Sequence, residues 1–250
     1  MLDLLLKLLL AHFLGDFIFQ SEKWVKEKER RKLKSPFFYY HILVHTIVLM
    51  CVLEFDFSYW FGILAIILSH FIFDFIKITL KSKYSSRLLF VIDQLAHLSI
   101  ILLTTFFYFP IDSIIIGQLY AFPIIPLVLS LVLLTGVSAV IMKVFMSKWV
   151  EDVKPQESLK AAGTYIGILE RLLVFVFVVV NHWEGIGFLL AAKSIFRFGD
   201  LSNAKDRKLT EYVMVGSLLK LWGSYNYCVT IFISSQGIKK TALLSLRKLL

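Results

Sequence analysis

The chain has 250 residues, of which 58% are apolar and 18% charged, with a mean hydropathy of +0.76. A soluble domain of this length is nearer half apolar and a quarter charged, so the composition excludes an ordinary water-solvated enzyme, a disordered chain and a coiled coil. Lys and Arg outnumber Asp and Glu by 27 to 18. In so apolar a chain that excess belongs in cytoplasmic loops rather than on nucleic acid.

A membrane span needs about 20 mostly apolar residues. In chain order the spans fall at residues 2–20, 36–55, 59–79, 88–109, 123–146 and 161–180. The first lacks a basic leader and a small-residue cleavage site, so it reads as a retained helix rather than a signal peptide. Pro36 suits the start of the second. Residues 186–198 are apolar but short and carry Lys193 and Arg197; they read as a re-entrant or half-membrane helix. Residues 212–233 are long enough to span but hold Lys220, Gly223, Ser224 and Asn226. The two cysteines, Cys51 and Cys228, lie in apolar stretches without disulfide or zinc–thiolate spacing. The expected fold is therefore all-α, a polytopic membrane bundle of six to eight spans. Residues 1–109 would form a four-helix core and 110–235 further membrane helices, with 236–250 a basic amphipathic tail on the membrane surface.

Loop charge sets the orientation. Residues 21–35 hold seven basic side chains, whereas the next loop, around Asp56, holds none. Lys77, Lys81, Lys83 and Arg87 then cluster between spans three and four, and residues 110–122 again hold none. This alternation places the N-terminus outside and the first long loop in the cytoplasm.

The stretch from Leu10 to Ile18 (Leu-Ala-His-Phe-Leu-Gly-Asp-Phe-Ile) matches that from Leu68 to Ile76 (Leu-Ser-His-Phe-Ile-Phe-Asp-Phe-Ile) at six of nine positions. The following helices match more weakly, His41–His45 beside Asp93–His97. The first four spans thus read as a tandem two-helix repeat, 1–56 and 57–109, with halves related by an axis along the membrane normal.

Those spans carry the chemistry. Each bears one ionisable pair at i, i+4: His12/Asp16, His41/His45, His70/Asp74 and Asp93/His97. Residues four apart share a helix face. In the orientation above, all four pairs fall in the cytoplasmic half of the bilayer. An ionisable group at mid-bilayer costs at least about 2.5–3.5 kcal/mol, so eight at one depth need mutual compensation, which a bound cation supplies. His and Asp without Cys suit Zn²⁺, and also Mn²⁺ or Fe²⁺. Five His and three Asp exceed one tetrahedral metal, so the expectation is two metals, or one with supporting Asp–His pairs. Asp16 or Asp74 could serve as general base instead of ligand. Interhelical hydrogen bonding and a proton relay are the competing readings.

Lys77 lies one turn beyond Asp74 and could neutralise a phosphate, or simply snorkel to the interface. In the second half, Glu170 and Arg171 sit in mid-span and read as a buried ion pair. His182 reads as interfacial. Lys193 and Arg197, at i, i+4, form a candidate anion site or snorkel to the inner interface.

The His/Asp helix pairs resemble those of all-helical zinc phospholipases C and related nucleases, and of membrane-bound metal-dependent hydrolases. The segments from His12 to Phe17 and from Ala191 to Gly199, with the basic first loop, resemble a bacterial polytopic membrane family called domain of unknown function 3307. That resemblance implies a bacterial inner-membrane protein and no established reaction. The expected function is a membrane-embedded metal-dependent hydrolase, most simply with zinc, acting on a lipid or lipid-linked phosphoester at the cytoplasmic leaflet. The alternatives are a divalent-metal or proton transporter and a non-catalytic membrane partner. A Gly-rich phosphate loop, a nucleophile elbow and a His-Glu-x-x-His pattern are all absent from the sequence.

Overall fold

The computed structural model describes residues 1–109, 124–150, 157–180 and 182–198, and these are helical and connecting segments with no strand among them. The expected span at 212–233 and the tail at 236–250 lie outside the described residues. Helix α1 (Leu2–Phe13) runs into a π-helical turn (Leu14–Ile18), and α2 (Glu22–Arg31) follows. Then come α3 (Pro36–Val52), α4 (Trp60–Leu80), α5 (Ser86–Tyr108) and α6 (Ile124–Val132). A second π turn (Leu133–Val137) leads to α7 (Ser138–Val150), α8 (Glu157–Val179) and α9 (Trp183–Phe198). The chain divides into two compact units, Met1–Val132 and the remainder from Leu133.

In the first unit α1, α3, α4 and α5 close a ring: α1 packs on α3 and α5, and α4 packs on α3 and α5. Helix α6 lies against α1. Away from the His/Asp level the interior is apolar, built from Leu4, Leu8, Ala11, Leu49, Ile63 and Ile101. The outward faces are apolar too. Leu64, Leu68, Ile72 and Ile76 form an exposed stripe on α4 at four-residue spacing, while His70 and Asp74 of the same helix point inward and are buried. Polar groups inside and bare aliphatic side chains outside reverse the soluble pattern and suit lipid as the solvent. Among the described residues, Phe57–Leu80, Ser86–Tyr108 and Ile124–Val144 are long and apolar enough to cross a membrane. A fourth span results if α1 and α2, bent by 81°, count as one. Helix α3 has 17 residues, the short end of what crosses a bilayer.

The basic segment after α1, expected as a loop, is largely helical. Ser21 caps it by accepting from the Trp24 N–H at 3.4 Å. Glu22 sits in the first turn and Lys28, Arg30 and Arg31 in the last, each complementing the helix dipole. The bend lets α2 fold back on the bundle. There the Trp24 ring stacks on Phe37, centroids 5.7 Å apart.

The α4–α5 hairpin closes at its far end through Gly62, whose N–H donates to the Tyr108 hydroxyl at 3.0 Å. A Cβ at Gly62 would lie 2.7 Å from Thr104 Cγ2 and 2.9 Å from Tyr108 Cε2. In the second unit, Arg171 of α8 is buried and donates its Nε–H to the Leu134 carbonyl in the π turn. The expected buried pair thus has its cation anchored on backbone, with Glu170 half-buried beside it. Lys193 and Arg197 belong to α9, but their side chains lie outside the described residues.

Gly62→Val should cost about 1–3 kcal/mol through overpacking of the hairpin, read as a lower melting temperature of the detergent-solubilised protein.

Candidate metal centre

The four ionisable pairs meet inside the ring. Asp16 is at the centre. Its Oδ1 lies 3.0 Å from His45 Nε2, 3.3 Å from His41 Nε2 and 3.7 Å from His70 Nε2. His70 Nε2 is 3.0 Å from His41 Nε2. These four atoms come from α3, α4 and the π turn of α1. Four ligands held tetrahedrally at the 2.0–2.1 Å of zinc–nitrogen bonds stand about 3.3 Å from one another. The observed separations scatter around that edge length, so the cluster has the dimensions of a metal coordination shell.

The sequence places these residues by simple means. His41 and His45 are one turn apart on α3 and both face inward. Asp16 is carried by the π turn, a local widening that often marks a functional position. Gly15 makes the approach possible. A Cβ there would lie 2.4 Å from both Cε1 and Nε2 of His45, so the imidazole packs directly on the backbone of α1.

Around this core stand the remaining candidates. His12 Nε2 is 3.8 Å from Asp16 Oδ2. His97 stacks on His70, ring centroids 4.3 Å apart, and its Nε2 lies 3.4 Å from Asp93 Oδ1. Asp74 Oδ2 is 3.8 Å from His41 Nε2. Ligand atoms fall into two groups able to hold an ion: Asp16, His41, His45 and His70; and Asp16, Asp93 and His97. His12 and Asp74, both expected as ligands, stand beside these groups rather than in them.

Two lysines divide the acids. Lys28 of α2, 3% exposed, reaches Asp74 Oδ2 at 2.5 Å. Lys77 reaches Asp93 Oδ2 at 2.7 Å, so the residue expected at the lipid interface or on a phosphate is engaged with an acid of the cluster. Asp16 has no lysine partner among the described residues; imidazoles and the amide of Gln94 surround it. Gln94 Nε2 donates to Asp16 Oδ2 at 3.0 Å and Asp93 Oδ2 at 3.3 Å, and its Oε1 lies 3.3 Å from His12 Nε2. Gln20 Nε2 lies 3.0 Å from His41 Nε2.

Lys28, Gln20 and Gln94 were not among the residues the sequence singled out. Gln94 had a signal, an amide beside Asp93 in an apolar run. Lys28 had a weaker one: Trp24 and Val25 mark the inward face of α2, and Lys28 continues that face at i+3 and i+4.

Two cavities adjoin the cluster. One of about 20 Å³, room for roughly one water, touches His12, His45, His70 and His97 and is otherwise lined chiefly by aliphatic residues such as Leu8, Leu49, Ile66 and Ile101. The other, about 40 Å³, lies toward α2 and is lined by Gln20, Lys28, Asp74, Lys77 and Lys81 among others.

Gly15→Ala should lower thermal stability in detergent, because His45 must move. Gly187→Ala, where nothing lies within 4 Å of the added Cβ, should not; equal melting of the two variants would contradict the close packing of His45 on α1.

No curated protein and no solved structure matches the chain. A family model described as "Protein of unknown function (DUF3307)" matches residues 4–122. Every residue of the His/Asp cluster, with Gln20, Lys28, Lys77 and Gln94, falls inside that segment. The match over residues 4–122 supports membership of the DUF3307 family of proteins of unknown function.

Proposed function

We propose that the protein is a metal-dependent hydrolase of the bacterial cytoplasmic membrane, acting on a lipid or lipid-linked phosphoester at the cytoplasmic leaflet. The observation that supports it most is the convergence of three imidazole nitrogens and one carboxylate oxygen in a buried site. Three histidines are the ligand count of a catalytic zinc site that keeps a position open. Bound there, a divalent ion would supply a Lewis acid and a water of pKa about 7. His41, His45 and His70 hold the ion. Asp16, 3.0–3.7 Å from all three, would complete the shell or serve as general base. Asp74 meets the ligand set only through His41 and is held by Lys28, so it positions rather than reacts. Zinc suits the donors, and Mn²⁺ or Fe²⁺ also fit them.

The charge balance agrees with this reading. Lys28 offsets Asp74 and Lys77 offsets Asp93, which leaves the single negative charge of Asp16. A bound divalent ion would supply the positive charge that this carboxylate does not receive from a lysine. A transporter would need a polar path through both leaflets. The cavity on the side away from α2 is chiefly aliphatic, which favours hydrolysis over transport.

The proposal includes a topology of six to eight spans with the N-terminus outside and the first four spans as a tandem repeat. The basic helix α2 and the α4–α5 turn lie together, joined by Lys81 and Glu29 at 2.7 Å. One end of the bundle therefore gathers both basic clusters, as a cytoplasmic end should. In a cysteine-free background, Ser58→Cys should react with a membrane-impermeant maleimide on intact spheroplasts, and Lys83→Cys only after permeabilisation. The reverse pattern would invert the orientation and move the site to the other leaflet.

Protein purified without chelator should contain about one or two transition-metal ions per chain by ICP-MS, and release a water-soluble phosphorylated product or headgroup from lipid vesicles. His70→Ala should lower both. Less than roughly 0.1 ion per chain, with none regained on reconstitution, would end the metal-dependent reading.

A further inference from the structure

Asp16 belongs to two ligand groups, and the second has its own unsatisfied atoms. Asp93 Oδ1 and His97 Nε2 are both buried and both lack a hydrogen-bond partner. They face each other at 3.4 Å, longer than the 2.7–3.2 Å of an N–H···O bond and close to the ~3.3 Å between two ligands of one zinc-sized ion. The residues themselves are only 5% and 4% exposed, so water does not serve them freely. The other oxygen of Asp93 is engaged. It takes Lys77 at 2.7 Å and Gln94 at 3.3 Å, which orients the carboxylate and leaves Oδ1 toward His97. Asp16 presents a ligand atom within 4.8 Å of both. Its Oδ1 is placed among His41, His45 and His70, and its Oδ2 lies toward Gln94 of α5 and His12. A carboxylate has two oxygens with two lone pairs each, enough to serve two ions and still accept from an amide.

We propose that Asp16, Asp93 and His97 hold a second divalent cation, with Asp16 as the bridging ligand shared with the His41–His45–His70 site. His12, whose ring centroid is 5.1 Å from that of His97, is the nearest imidazole outside both groups and stands ready as a further ligand. The second ion binds more weakly than the first. Asp93 is already offset by Lys77, and the charge of Asp16 is spent on the first ion, so the protein supplies little additional negative charge. Carboxylate-bridged ions stand about 3.5–4 Å apart, the spacing that clamps the attacking and leaving oxygens of a phosphoester. The inference rests on the first site being a metal site, as proposed above.

The test is a Mn²⁺ titration of the full-length protein in detergent after metal removal, followed by EPR and by bound metal per chain. The first equivalent should give the six-line signal of an isolated ion. Further additions should replace it with the broadened spectrum of an exchange-coupled pair, with binding approaching about two ions per chain. His97→Gln should keep one bound ion and the isolated signal. If the wild-type protein saturates at one uncoupled ion, the second site is refuted and the first stands. If it binds none, both fail. Two coupled ions in His97→Gln would overturn the ligand assignment. Should that variant not fold, the wild-type titration decides alone.

Discussion

The carboxylate of Asp16 is the charge that the rest of the first unit must accommodate. It lies inside a bundle whose outer surface is aliphatic, and an uncompensated buried carboxylate costs several kcal/mol. Asp74 and Asp93 meet the same difficulty and each receives a lysine. Asp16 receives imidazoles and the Gln94 amide instead. Neutral imidazole nitrogens stabilise a carboxylate only where they donate, and the nitrogens of His41, His45 and His70 all crowd one oxygen. A divalent ion at that point would turn the crowding into coordination.

Several otherwise unrelated features serve this one placement. The π turn carries Asp16 inward, and Gly15 removes the Cβ that would collide with His45. Helix α2 turns back by 81° and carries Lys28 into the bundle. The same helix bears the charge expected to fix orientation, so one segment is both the basic flank and a wall of the site. Its Trp24, stacked on Phe37, secures it against α3.

The sequence likeness between the segments around His12/Asp16 and His70/Asp74 takes on a particular meaning beside the contacts. His12 and His70 occupy matching sequence positions, yet His70 lies in the three-imidazole group while His12 stands beside it. Asp16 and Asp74 match as well, yet among the described residues only Asp74 has a lysine ion pair. Like sequence segments thus have unlike surroundings, and that asymmetry separates a carboxylate free to meet an ion from one that only positions its neighbours. The segment matched by the family model, residues 4–122, contains all of these residues.

The sequence alone determined the helical character and the long apolar runs that suit a bilayer, where such runs have no other stable form. It also determined that each of four helices turns two ionisable groups to one face, because the helical period fixes side-chain direction over one turn. It placed Lys28 among seven basic residues, with only its helix-face spacing from Trp24 and Val25 to set it apart. Tertiary structure alone decided which acid meets a lysine and which meets imidazoles, because the rotation and depth of each helix follow from packing between segments such as those of Lys28 and Asp74, 46 residues apart. It also decided that Asp16 is common to two ligand groups. Periodicity is a local property of one helix, whereas a coordination shell is assembled from several.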